Sequence, residues 1–96
     1  MRREHIKQLE RILKALGNIR RIRILKTLTY EKELSVGGIS ERIELSFTAT
    51  SKHLTILYRL DILDRRQKSL VVYYRIADGL SDFIKRIIST ISNSRE

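Results

Sequence analysis

Cysteine is absent from these 96 residues, as are proline and tryptophan. Without thiols there can be no disulfide, no thiolate metal ligand and no thiol-based redox switch. Only two histidines occur, His5 and His53, and their separation along the chain does not suit a metal site, so no metal is expected. No apolar run approaches the roughly 20 residues that span a bilayer, and the basic N-terminus lacks the unbroken apolar segment of a signal peptide. A membrane role is therefore not expected, and the cytoplasm is the expected compartment. Catalytic patterns are missing as well. No Ser, His and acid set or paired-carboxylate motif stands out, and Gly37-Gly38 is too short to cradle a phosphate. The chain is not expected to be an enzyme or to carry a cofactor.

Positive charge, by contrast, is abundant. Lys and Arg number 20 against 11 Asp and Glu, for a net +9 and a pI near 10.4, which points to a polyanionic partner. The excess is uneven: residues 1–32 hold ten cations against three anions, 33–62 three against four, and 63–76 four against one. Two basic zones thus flank a nearly neutral middle. The length suits a single domain over 1–96 with one small core.

The neutral middle contains the most informative stretch, Leu45 to Leu60. Ser46 is a good N-cap, because its hydroxyl can accept from a free N–H of the first turn. At 100° per residue Thr50, Leu54 and Leu57 share one stripe, and Thr48, Ser51, Lys52, Thr55 and Arg59 the opposite one. Short hydroxyls with a cation let a helix lie close to base edges in a DNA major groove. Phe47 falls nearer the Leu54 and Tyr58 side and is expected to pack there. A plain surface helix rich in Thr and Ser would show the same two stripes, so neighbouring elements must decide between the readings.

Those neighbours are consistent with DNA reading. Ile6, Leu9, Leu13 and Leu16 predict an amphipathic first helix ending at Gly17, and Asn18 can cap a second that turns Ile22, Leu25 and Leu28 inward. Arg20, Arg21 and Arg23 crowd the start of the second helix, either as solvated charge or as a phosphate contact. Leu34, Val36, Ile39 and Ile43 predict a short third helix from near Ser35, so a helix-turn-helix is expected over about 35–60. Next, Leu63 to Gln67 and Leu70 to Ile76 predict a hairpin over about 63–76. Its tip region carries Arg65, Arg66, Gln67, Lys68 and Ser69, a basic wing suited to sugar-phosphate. Leu80, Phe83, Ile84, Ile87, Ile88 and Ile91 mark a last amphipathic helix.

The expected fold class is thus mainly α with a β-hairpin wing, in the order helix, helix, helix, helix, strand, strand, helix. The outer helices carry more apolar surface than such a core needs. Six large side chains left in water would forgo on the order of 10 kcal/mol. Either they complete the monomer, or Ile6, Leu9, Leu13, Phe83, Ile84, Ile87, Ile88 and Ile91 form a homodimer interface, which is the favoured expectation.

Leu16-Gly17-Asn18 with Arg21-Ile22-Arg23-Ile24-Leu25, then Leu45-Ser46 with Ser51-Lys52-His53-Leu54 and Leu57, then Val72-Tyr73-Tyr74-Arg75-Ile76, resemble in order and spacing the winged helix-turn-helix repressors of the ArsR family. The resemblance covers about 60 residues, Leu16 to Ile76. It implies a prokaryotic, nucleoid-associated homodimeric repressor on an inverted-repeat operator. It also implies base or backbone contacts from Thr48, Ala49, Ser51, Lys52, His53, Thr55 and Arg59. Three departures matter. Glu44, Asp61 and Ser69 stand where the family often has Gly, so left-handed turns fall on less tolerant residues. Phe47 replaces a common polar contact. Ser35 and Gly37 match the Cys ligands of metal-sensing members, and the last helix has no His, so metal sensing is not expected. A low-specificity architectural DNA-binding protein and a winged-helix protein-interaction module remain as alternatives.

Overall fold

The computed structural model describes residues 2–95. Its order is α1 (Arg3–Leu16), α2 (Ile19–Glu31), β1 (Glu33–Ser35), α3 (Val36–Ile43), α4 (Phe47–Arg59), β2 (Leu63–Lys68), β3 (Val71–Ile76) and α5 (Asp82–Ser92). The expected wing is present, but the sheet has three antiparallel strands in the order β1-β3-β2. The third strand corrects the sequence reading. Leu34 belongs to β1, opposite Tyr74, rather than to the third helix. Three residues are too few to show a period of two, and their partner lies some forty positions away.

Local chemistry sets the helix starts. Asn18 accepts from the N–H groups of Arg20 and Arg21, Ser35 from Gly38, Ser46 from Ala49 and Ser81 from Ile84. In the hairpin, Leu63 faces Ile76 and Lys68 faces Val71, leaving a two-residue turn of Ser69 and Leu70. Ser69 takes a left-handed φ of 58°, as do Glu44 at 55° and Asp61 at 60°, the three positions the sequence marks. Lys32, at 65°, is a fourth.

Around α2, α3 and α4 the core closes on Ile24, Leu25, Leu28, Ile39, Leu54, Leu57, Ile62 and Leu63, with Tyr74 buried from the sheet and Val72 and Ile76 half-buried beside it. Ile24 replaces Ile22 as an innermost residue of α2, where Ile22 is only partly covered. One polar side chain shares this interior. Thr50 is fully buried, and among the described residues its hydroxyl has no hydrogen-bond partner. Thr50→Val removes that unpaired group with little change of shape and is expected to stabilise the protein by about 1 kcal/mol, read as a higher urea midpoint at unchanged slope.

The proposed dimer residues divide between inside and outside. Ile84, Ile88 and Ile91 are buried in the protomer's own core, at 7, 7 and 8 % exposure, so they do not form a free surface. Phe83 is 47 % exposed and Ile87 half-covered on the outer side of α5, while Ile6 and Leu13 of α1 stand 54 and 48 % exposed and Leu9 is half-covered. Helix α1 is buried only at its last turn, through Ala15 and Leu16. Among the described residues no helix is long and apolar enough to cross a membrane.

Candidate nucleic-acid interface

Helix α4 sits with Thr50, Leu54 and Leu57 buried and Thr48, Lys52 and Arg59 exposed on its far side, as its periodicity requires. Ser51 and Thr55 are half-buried on the flank toward the wing, where the Thr55 hydroxyl donates to the Ser51 carbonyl at 2.9 Å. Ala49 and His53 turn to the other flank, and both are half-buried. The imidazole of His53 meets Arg21 of α2, whose Nη1 lies 3.1 Å from Nδ1. Nδ1 of His53 is thus engaged by Arg21, and Ala49 lies beside it away from the exposed stripe.

Arg21 is not loosely solvated. Its Nε donates to the Ala15 carbonyl at 2.6 Å and its Nη2 to that of Lys14 at 3.4 Å, closing the end of α1 with a cation where the helix dipole is negative. Donation to His53 needs a neutral ring at Nδ1. Burial first, and then the charges of Arg21 and Arg20, hold the His53 pKa below its ordinary 6.5. The unfolded chain then binds the proton more tightly than the native one. Stability should consequently fall as pH drops from about 6.5 through the lowered native value, and level off beneath it. Urea titrations at neutral and acid pH test this, and His53→Gln should remove that part of the loss.

Two of the wing cations are held against the body of the protein. The Arg65 guanidinium lies 3.9 Å over the Tyr58 ring and donates to the Tyr74 hydroxyl at 3.4 Å. Arg66 stacks over Tyr73 and grips both carboxylate oxygens of Glu33 at 2.8 and 3.0 Å, which keeps Glu33 below the usual carboxylate range. These contacts tie the hairpin to α4 and β1. Arg65 and Arg66, both still exposed, thus brace the wing. Exposed Lys68, Ser69 and Leu70 form the tip, with the Gln67 amide donating to the Ser69 carbonyl at 3.2 Å. The bracing needs Glu33, Tyr58 and Tyr73, which periodicity alone marks only as surface or strand positions.

Residues 18–65 match the bacterial regulatory protein, arsR family. The chain belongs to that family. Its members are transcriptional regulators that bind DNA through a winged helix-turn-helix, and they are not enzymes. The chain is similar to the transcriptional activator HlyU of Vibrio cholerae, with 42 % identity over 66 residues, which are 69 % of this chain and 60 % of HlyU. A solved structure of HlyU from Vibrio cholerae N16961 superposes with a TM-score of 0.76 at 34 % identity, covering 94 % of both chains. The solution structure of the homodimeric winged helix-turn-helix DNA-binding domain of a possible ArsR-family transcriptional regulator from Mycobacterium bovis gives 0.77 at 28 % identity, covering 92 % of this chain and 78 % of that one. The chain spans about three fifths of the length of the curated relatives it matches.

Proposed function

We propose that the chain is a homodimeric, sequence-specific repressor whose two α4 helices enter successive major grooves of an inverted repeat, about 34–36 Å apart. The observation that carries this reading is the exposed Thr48, Lys52 and Arg59 stripe, set directly opposite the buried Thr50, Leu54 and Leu57. It leaves one small hydroxyl and two cations at the surface of a helix whose other face is fixed. The homodimeric neighbour supports the assembly. So does the outward apolar surface of Ile6, Leu13 and Phe83. Such a protein works in the cytoplasm, at the nucleoid, and repression follows from occupying the operator. Selection of bound sequences from a random duplex pool tests the reading. A palindromic consensus is expected, whereas a pool without consensus favours low-specificity coating through the +9 charge.

The repressor we propose does not sense metal. Ser35 is a helix cap, Gly37 has no side chain, and among the described residues no cluster of three or more His, Asp or Glu could hold an ion. Operator affinity should be the same with stoichiometric divalent metal, with chelator and with peroxide. A tenfold change, about 1.4 kcal/mol of coupling, would overturn that.

A further inference from the structure

Phe47 does not pack where its spacing places it. It is the first residue of α4, fixed by the Ser46 cap at 3.1 Å from the Ala49 N–H, and its ring is 61 % exposed. Phe47, Ser51 and Thr55 follow one another at intervals of four, and together with Arg65 and Leu70 to Val72 of the wing they border a groove of about 450 Å³. The ring thus prolongs the flank of the polar stripe to the N-terminal end of the helix. In a recognition helix that end comes nearest the base edges.

The occupant of this surface follows from its continuity and its charge. Lys52 follows Phe47 on α4, Arg65 lines the groove, and Lys68 pairs with Val71, another lining residue, so the cations at and near this surface favour a polyanion over an apolar partner. Among the edges that bases present in the major groove, the one apolar group is the 5-methyl of thymine. We propose that Phe47 is a specificity-determining residue that selects thymine by covering this methyl group. The inference rests on the major-groove reading proposed above. It adds an aromatic face for the thymine methyl, larger than the single methyl groups that Thr48 and Thr55 offer.

The test uses the full chain and the operator found by selection, with each thymine of one half-site replaced in turn by deoxyuridine, which lacks only the methyl. One position should weaken wild-type binding about fourfold, the effect of burying a single methyl group. Phe47→Ser, verified as folded by circular dichroism, should bind the thymine and uracil duplexes equally while still preferring the operator to random DNA. A consensus in which no uracil weakens binding overturns the role of Phe47 alone, as does a uracil effect that persists in Phe47→Ser. A pool that yields no consensus overturns the major-groove reading itself, and this inference with it.

Discussion

Ile88→Glu should unfold the protein, whereas Phe83→Glu should leave it folded and divide the proposed dimer. The two residues stand five apart on α5, and both belong to one apolar stripe in the sequence. Ile88 is 7 % exposed and packed in the core with Ile84 and Ile91, so a carboxylate there loses its water without gaining a partner. The cost is at least several kcal/mol, comparable to the whole stability of a small domain. Phe83, at 47 % exposure, already meets solvent in the protomer and tolerates a charge until a second copy is brought against it. Circular dichroism separates the two results, and sedimentation at micromolar concentration reads the particle size. A Phe83→Glu protein that keeps the wild-type mass would remove α5 from the interface. Leu13→Glu then tests α1 separately.

On the DNA side, Lys52→Ala and Thr48→Ala should each cost about 1–3 kcal/mol on the selected operator and much less on random duplex, because base-edge contacts are lost only where the right base is present. Lys68→Ala should act differently. A wing-tip cation on phosphate weakens both duplexes alike and lowers the salt slope by about 1. Arg66→Ala combines two effects, since it also releases Glu33 and the stack on Tyr73 that brace the hairpin. Titrations on both duplexes across a salt series distinguish these patterns. Equal losses on both duplexes from Lys52→Ala would assign that residue to the backbone.

Periodicity makes α4 legible, because Thr50, Leu54 and Leu57 at helical spacing and one Ser cap determine both its face and its start. The hairpin is equally legible from its run of β-branched and aromatic residues. Contacts between distant segments are not. Arg21 meets His53 across 32 positions, and Arg66 meets Glu33 across 33, and neither pair leaves a trace in local spacing. The stripe on α5 shows a related limit. Its residues are apolar whether they face their own core or a second copy, so Ile84 and Phe83 look alike in the sequence and are told apart only by the packing of α5 on α2. Phe47 also escapes its expected place: its angle points toward Leu54 and Tyr58, yet it is 61 % exposed at the start of α4.

The four left-handed residues sit at particular places. Lys32 joins α2 to β1, Glu44 joins α3 to α4, Asp61 joins α4 to β2, and Ser69 turns β2 into β3. Each connection is a few residues long and fixed in a conformation that costs a side-chain-bearing residue about 1 kcal/mol, a cost met by the packing on either side. No slack is left between the recognition helix and the wing. The two must therefore arrive at a duplex as one preorganised body, with little of the binding energy consumed in ordering them. A duplex of the wrong width or bend would then have to deform to meet both elements, a cost that adds to the base-edge selectivity proposed for α4.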